Sequence, residues 1–280
     1  MPKPADFDKL TPAQKLEARL AAWQNHEGIE FADKEKENEY RFRAQILADV
    51  VKLRKPARVP VLIATGFYPF PYAGYTCRDA MYDYDKLGKA MMKFHADFEP
   101  DAVASPGLYG PGKAFEVLDY KLYHWPGHGV PETTSYQCAE AEYMKGDEYP
   151  DFLKDPSDYF LRFYLPRVFG ALEPLKELPP FTNLQELPFV GPGIFHFGLP
   201  HIQDALKKLM KAGEISLEWF TRVVEIEKNI ITSLGMPKFQ GAFSKAPMDV
   251  PGDTMRGTKQ ILLDKFRKPN EIIAASERCA

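Results

Sequence analysis

Residues 58–65 read RVPVLIAT, and residues 66–76 continue with GFYPFPYAGYT. The first stretch is a short apolar run with β-branched side chains between a proline and a glycine, which predicts a strand buried on both faces. The second stretch combines glycine, proline and aromatic residues, which is typical of a loop. Together they predict a strand that ends in a candidate binding loop, as in an α/β fold.

The same alternation continues along the chain. Thr76 and Asp79 fit a capping box, and apolar residues at helical spacing predict a helix from there to about residue 98. DAVAS at 101–105 predicts a second strand, SPGLYGPG at 105–112 a second loop, and KFQGAFS at 238–244 a third strand. Strands that alternate with helices favour a parallel sheet with crossover helices.

The composition indicates a chain that can bury a core. Of 280 residues, 45% are hydrophobic and 27% are charged, and the formal net charge of -3 gives no electrostatic reason to expect nucleic acid or an anionic membrane as partner. The three cysteines form no CxxC pair, and no apolar run is long enough to span a bilayer. We therefore expect a cytoplasmic protein.

The pattern also predicts how the chain is divided. Residues 1–57 predict an N-terminal helical segment, and residues 58–280 predict a barrel-type domain with about three strands and a helical insertion near 137–212. Three strands cannot close a barrel, and the pattern ends on a helix where another strand should follow. We therefore expect this sequence to be the front part of a longer protein.

Candidate site residues follow from the loops at the carboxyl ends of the predicted strands, where parallel α/β units bind ligands. Glycines allow close approach, aromatic rings supply flat apolar walls, and arginine can pair with a carboxylate. The candidate substrate-binding residues are Gly66, Phe67, Tyr68, Tyr72, Tyr75, Ser105, Tyr109, His128 and Arg256, and the candidate catalytic residues are Arg78 and Asp253.

Each of these assignments has a structural alternative. The aromatic residues of the first loop can pack as a lid, the second loop can be a turn of proline and glycine, and Asp253 can cap the following helix. The second loop resembles an anion cradle but matches neither GxGxxG nor a P-loop. His124, His128 and Glu132 match no zinc signature, so no metal ligand is predicted.

Three stretches together resemble the uroporphyrinogen decarboxylase superfamily, which includes methyltransferases that work with corrinoid proteins or cobalamin. They are VPVLIATGFYPFPYAGYTCRDAMYDYDK at 59–86, PDAVASPGLYGPGKAFEVLDYKLYHWPGHGVPE at 100–132, and GAFSKAPMDVPGDTMRGTKQILLDKFRKPNEIIAA at 241–275. The resemblance covers about residues 35–280. It implies the N-terminal portion of a (β/α)8 TIM-type barrel with extra N-terminal helices.

The chain departs from the decarboxylase pattern at three places. GFYPFPYAGY replaces the RQAGRY loop and has no arginine before Arg78, Pro106 stands at the acidic position of an SDIL-like motif, and Asp253 stands where a tyrosine is expected. A substrate with four acetate arms needs cationic and acidic groups there. The resemblance therefore implies methyl transfer rather than porphyrinogen decarboxylation.

The resemblance leaves several functions open. What the resemblance implies is that the full-length chain is an enzyme that transfers a methyl group or decarboxylates a tetrapyrrole or a small methylated substrate, with a corrinoid protein as a further partner. A decarboxylase needs no cofactor, whereas a methyltransferase uses zinc and a corrinoid, with the zinc ligands in the missing half of the barrel. The alternatives are a non-catalytic barrel that binds a corrinoid or porphyrin, or an inactive fragment.

Overall fold

A computed structural model describes residues 6–239 and 244–280, and these residues are mostly helical. The α-helices of the described chain are α1 (Pro12–Gln24), α2 (Lys34–Val51), α3 (Pro69–Tyr72), α4 (Cys77–Tyr82), α5 (Tyr84–Phe98), α6 (Gly112–Leu118), α7 (Tyr149–Lys154), α8 (Pro156–Tyr159), α9 (Leu165–Val168), α10 (Leu187–Ile194), α11 (Pro200–Leu234), α12 (Thr258–Arg267) and α13 (Pro269–Cys279). No described helix has both the length and the apolar character needed to cross a bilayer.

Shorter helical turns and a small sheet complete the described structure. The 3-10 turns are Phe7–Lys9, Pro106–Leu108, Gly170–Glu177, Phe181–Asn183 and Phe195–Gly198, and the π-helical turns are Phe160–Tyr164 and Val250–Arg256. The sheet has the order β2-β1-β3, from β1 (Tyr123–Pro126), β2 (Gly129–Val130) and β3 (Gln137–Cys138). β1 pairs with β2 in parallel and with β3 antiparallel, and Tyr123 lies opposite Cys138 in the antiparallel pair. The fold therefore mixes helix with a little strand.

The described residues form two compact units. The first lies within 1–110 and 220–242, and the second within 111–219 and 243–280. The long helix α11 supplies residues to both units, because the division falls after Trp219. The domain boundary after residue 57 that the sequence suggests stays a prediction.

The first unit has a core between α1 and α2. A capping box between Thr11 and Gln14 starts α1, as the sequence predicts, and Pro12 occupies its first turn. The buried side chains of this core are Leu20, Trp23, Tyr40, Ala44, Ile46, Leu47, Ala48 and Ala102. The Tyr40 hydroxyl donates to the Trp23 carbonyl at 3.1 Å, so the one polar atom of that ring is satisfied inside the core.

The predicted strands at 58–65 and 101–105 are wrong as strands, because the structure gives both segments an irregular backbone. Val59, Val61 and Leu62 are exposed, so the first run is not buried on both faces. The Val61 amide donates to the carboxylate of the buried Asp101 rather than to a strand, at 2.6 Å. Of the third predicted strand, 240–243 lie outside the described residues, and residues 238 and 239 have no regular structure.

These three segments are nevertheless linked by backbone hydrogen bonds. The Asp101 amide donates to the Val61 carbonyl at 2.8 Å, and the Val103 amide donates to the Pro237 carbonyl at 3.0 Å. The buried His95 holds the same region, since its Nε2 accepts from the Ala104 amide at 2.9 Å. The segment at 101–103 is therefore hydrogen-bonded both to residue 61 and to residue 237.

The second unit has two cores. One groups Met144, Tyr149, Phe152 and Tyr159 with residues of α12 and α13, and the other packs α6 against the 3-10 turn Gly170–Glu177 and the start of α11. The sequence predicts coil at 174–200, but the structure forms helical turns there. Pro188 lies in the first turn of α10, where its missing amide hydrogen costs nothing.

The start of α11 was also predicted wrongly. The sequence places an N-cap at Ser216, whereas the helix begins at Pro200 and passes through that residue. Ser216 Oγ donates to the Ala212 carbonyl at 2.7 Å, which is the internal bond that serine makes inside a helix. The predicted stop is confirmed, because α11 ends at Leu234 and Gly235 has a φ of 58°.

Candidate functional site

The loop at 66–76 contains a single turn of helix between two glycines. Gly66 and Gly74 have φ values of 50° and 80°, in the region that favours glycine. No atom lies within 4 Å of a Cβ built on either residue, so the backbone conformation rather than crowding requires glycine there. Between them, α3 places residues three and four positions apart on the same side of the turn.

One side of this turn is buried. Phe67 and Phe70 pack beside Tyr109, and the centroid of each phenylalanine ring lies 5.0 Å from that of the Tyr109 ring. The Tyr109 hydroxyl donates to the Gly66 carbonyl at 2.9 Å and lies 3.3 Å from Thr65 Oγ1. Packing therefore explains Phe67, Phe70 and Tyr109, as the structural alternative expects.

The other side of the turn faces solvent. The Tyr68 and Tyr72 rings stack with centroids 5.8 Å apart and an interplanar angle of 24°, and the Phe98 ring lies 6.0 and 5.0 Å from them. The three residues are 52%, 36% and 42% exposed. We call Tyr68, Tyr72 and Phe98 the aromatic surface. Exposed rings in contact with one another are typical of a binding surface rather than a core.

A charged pair borders the aromatic surface. The Tyr72 hydroxyl donates to Asp97 Oδ2 at 2.8 Å, and Lys93 Nζ donates to the same oxygen at 2.5 Å. The hydrogen bond to Asp97 raises the pKa of Tyr72, and Lys93 and Tyr72 together lower the pKa of Asp97. Lys93 Nζ also lies 4.8 Å from the centroid of the Tyr72 ring. These contacts hold the Tyr72 ring in one orientation.

Tyr75 and Arg78 lie at the far end of the loop. Lys86 Nζ is 5.7 Å from the Tyr75 ring centroid, and the Arg78 guanidinium lies 4.2 Å above the Tyr82 ring. Arg78 is in α4, which begins with the predicted capping box between Thr76 and Asp79. The helix start that the sequence predicts at Thr76 is therefore confirmed, and the catalytic role of Arg78 stays a prediction.

Ser105 belongs to a group that the sequence reasoning missed. Ser105 Oγ donates to Glu227 Oε1 at 2.6 Å, and Lys238 Nζ donates to Glu227 Oε2 at 2.5 Å. Glu227 is buried, whereas Lys238 is exposed at its side chain. The available signal was an acid on the apolar stripe of α11, between Val223 and Ile230. A buried carboxylate in contact with a hydroxyl and an ammonium can accept or relay a proton.

His128 lies in the second unit beside the small sheet. Its Nε2 is 2.7 Å from Glu116 Oε1, and its ring stacks on Trp125 with centroids 4.7 Å apart. The neighbouring Gly129 has a φ of 80°, and a Cβ there would meet His124 Nδ1. Structural contacts therefore account for this histidine, and its binding role stays a prediction.

Arg256 is an interior residue of the second unit and is 3% exposed. Its Nε donates to Asp264 Oδ2 at 2.6 Å, and its Nη1 donates to Glu142 Oε1 and to the Met144 carbonyl, each at 2.5 Å. The Tyr149 hydroxyl donates to the same Asp264 oxygen at 3.0 Å. Interior partners thus explain the arginine that the sequence proposes for substrate binding.

Asp253 lies on the π-helical turn Val250–Arg256 and is exposed. Its carboxylate pairs with Lys245 Nζ at 3.1 Å. The alternative, that Asp253 caps α12, is wrong, because the N-cap is Gly257 and the Thr258 amide donates to Glu140 Oε1 instead. An exposed, paired carboxylate remains available as the predicted acid.

The structure divides the predicted site residues between its units. The first unit holds Gly66, Phe67, Tyr68, Tyr72, Tyr75, Arg78, Ser105 and Tyr109, and the second holds His128, Asp253 and Arg256. Within 6–239 and 244–280, no three His, Cys, Asp or Glu side chains are grouped so that they could hold a metal ion. Neither a scan against protein-family models nor searches of curated proteins and of solved structures find a match to this chain.

Proposed function

We propose that this chain binds a flat, conjugated ring compound of the tetrapyrrole class, a porphyrin or a corrinoid, on the aromatic surface. The observation that carries the proposal is the stacked, solvent-exposed pair Tyr68 and Tyr72 beside Phe98. Large aromatic side chains left in water provide apolar area and π-faces for a planar ligand. The resemblance to the uroporphyrinogen decarboxylase superfamily supports the same ligand class.

The charges around the aromatic surface support a ligand with few acidic arms. Lys93 pairs with Asp97 at its edge, so this cation is already neutralised by a carboxylate. A uroporphyrinogen decarboxylase needs a loop arginine for its carboxylates, and 66–75 contains none. A corrinoid, whose side arms are mostly amides, suits such a surface better than a polycarboxylate.

We propose the N-terminal portion of a (β/α)8 barrel as the scaffold. The support is the pair of hydrogen bonds from Asp101 to Val61 and from Val103 to Pro237, because they bring the three predicted strand segments side by side. The segments at 61 and 103 are followed along the chain by the candidate loops at 66–76 and 105–112. The sparse, unpaired cysteines support the cytoplasm as the location.

The test is a titration of the protein with aquocobalamin and with a porphyrin, followed by visible absorbance. We expect a spectral shift that saturates, and a dissociation constant about tenfold larger in Tyr68→Ala or Tyr72→Ala, since base-like stacking on one ring is worth about 1–3 kcal/mol. Phe266→Ala is the matched control, because this exposed ring lies in α12 of the other unit. A missing spectral shift, or an equal loss in all three variants, contradicts the proposal.

A second candidate function is catalysis, either methyl transfer or decarboxylation. The observation that favours it is the Ser105–Glu227–Lys238 group, which holds exchangeable protons around a buried carboxylate. Decarboxylation adds a proton to the carbon that loses carbon dioxide, and methyl transfer to a thiol releases the thiol proton, so a proton donor or acceptor serves either reaction. Arg78 and Asp253 are the further catalytic residues of this hypothesis. The described residues contain no group of three His, Cys, Asp or Glu side chains that could serve as the zinc ligands of a methyltransferase.

The catalytic candidate is tested by turnover. Two rates are measured for the parent chain and for Glu227→Gln. They are the release of carbon dioxide from uroporphyrinogen and the transfer of the methyl group of methylcobalamin to an added thiol. We expect the variant to lose about 100-fold in rate, which is the usual contribution of a general acid or base. Glu225→Gln, an exposed position on the same helix, is the control. A rate that is the same in Glu227→Gln and the parent contradicts the assignment.

A further inference from the structure

A cleft of about 350 Å³ lies inside the second unit, and none of the candidate site residues described above lines it. Its walls come from α7, α8, the π-helical turn Phe160–Tyr164 and the 3-10 turn Phe181–Asn183. Small-molecule sites usually measure about 300–1,000 Å³, so the cleft is large enough for a small organic ligand.

The π-helical turn shapes one wall of this cleft. Arg162 lies on that turn, and its Nε and Nη2 donate to the two oxygens of Asp158, with the Nε bond at 2.6 Å. This hydrogen bonding raises the pKa of Arg162 and keeps the pair ionised. Because π-helical turns are rare and often occur at functional sites, an aligned ion pair on such a turn beside a cleft favours a binding role.

The remaining charges of the cleft are mainly negative. Asp151 and Asp155 line it together with Lys154, after Asp158 and Arg162 have neutralised each other. Asp155 accepts from the Asp158 amide at 3.1 Å, and the charges of Asp151 and Asp155 add to the effect of Asp158 in raising the pKa of Arg162. The cleft therefore presents one negative charge in excess, which suits a ligand with a single positive charge.

The apolar part of the cleft is aromatic. Phe163 lines it with the Arg162 guanidinium 5.1 Å from its ring centroid, and Phe181 contributes a ring that is 55% exposed. Aromatic faces attract both cations and other rings. A lining that combines carboxylates with aromatic rings matches a molecule that carries a cationic group on an apolar ring.

We propose that this cleft binds a small organic monocation, a protonated amine carried on an apolar ring. The ammonium pairs with the carboxylates of Asp151 and Asp155, and the ring lies against Phe163 and Phe181. This site is independent of the aromatic surface of the first unit, so either proposal can fail while the other holds.

The experiment measures binding of 2-phenylethylammonium to the full chain by isothermal calorimetry, with phenylacetate as an anion of matched size. We expect the cation to bind and the anion to bind at least about tenfold more weakly, because opposite charges attract in the cleft and like charges repel. Asp151→Asn should weaken the cation about fivefold, the upper value for a partly exposed ion pair. Equal binding of the two probes, or no binding of the cation at millimolar concentration, overturns the proposal.

Two further variants separate binding from folding. Phe181→Ala removes an exposed ring and should weaken the cation while circular dichroism shows an unchanged melting temperature. Glu173→Gln, whose carboxylate pairs with Lys176 outside the cleft, should leave binding unchanged. If Phe181→Ala binds the cation as tightly as the parent, or if Glu173→Gln weakens it as much as Asp151→Asn does, the proposal is wrong.

Discussion

The two sides of the loop at 66–75 carry the same kinds of side chain and place them in opposite environments. Phe67 and Phe70, three residues apart, are buried, whereas Tyr68 and Tyr72, four residues apart, are stacked in solvent. A helical turn puts residues at these spacings on the same side, so one turn creates both surfaces. The aromatic composition is the same on both sides of the loop, and the position on the turn decides which rings are buried and which are exposed.

The largest expected effect is the loss of stability when a ring is removed from the buried side of the loop. Phe70→Ala removes a ring that is 0% exposed and leaves a cavity beside Tyr109, which should lower the free energy of unfolding by about 3–5 kcal/mol. Urea unfolding followed by circular dichroism measures it. Tyr72→Ala on the exposed side is the control, with an expected loss below about 1 kcal/mol. Similar losses in the two variants would show that both sides of the loop are structural.

A smaller effect concerns the hydroxyl that joins the buried side to the backbone. Tyr109→Phe removes the donor to the Gly66 carbonyl and should lower the free energy of unfolding by about 1–2 kcal/mol. Tyr68→Phe removes a solvent-facing hydroxyl and should change it by less than about 0.5 kcal/mol. Urea unfolding tests both variants. If Tyr68→Phe loses more free energy of unfolding than Tyr109→Phe does, the exposed side contributes more to stability than the buried side, contrary to expectation.

The smallest effect is a shift in the titration of the exposed side. The hydrogen bond to Asp97 raises the pKa of Tyr72, because the carboxylate favours the protonated phenol. Asp97→Asn should therefore lower the pKa of Tyr72 toward the ordinary tyrosine value. Ultraviolet titration measures this shift, with Tyr72→Phe identifying the signal and Asp204→Asn, on α11, as the control. If the pKa of Tyr72 is unchanged in Asp97→Asn, the hydrogen bond between Tyr72 and Asp97 does not form in solution.

Helix starts and stops could be predicted from the sequence because their causes are local. The capping boxes at Thr11–Gln14 and Thr76–Asp79 join residues three apart, and Gly235 ends α11 through its own backbone conformation. Ser216 was wrongly predicted as an N-cap because serine makes local hydrogen bonds both at N-caps and inside helices. Here its hydroxyl bonds within α11.

The strands could not be predicted in this way. RVPVLIAT has the composition of a buried strand, yet Val59, Val61 and Leu62 are exposed. A strand requires hydrogen-bonded neighbours from distant parts of the chain, and here the carboxylate of Asp101 takes the Val61 amide. An apolar segment can form a buried strand only when other parts of the chain pack against it. Its own composition does not show whether they do.

The candidate site was predicted only in part. The aromatic loop was identified from its glycines and rings, and the exposed stacking of Tyr68 and Tyr72 is consistent with that choice. Arg256 has the chemistry of a ligand-binding arginine, but it is buried against Asp264 and Glu142. Glu227 was missed, because its partner Ser105 is 122 residues away in the sequence.

The sequence by itself determined the starts of α1 and α4, the end of α11, where the glycines bend the loop at 66–75, and which side chains can do chemistry. Only the tertiary structure decided which aromatic rings are covered and which carboxylate meets Ser105, Lys238 or Arg256. The physical reason is the separation in sequence between the groups that interact. Caps and turns are satisfied within a few residues, whereas burial and ion pairing depend on groups that the folded chain brings together from far apart.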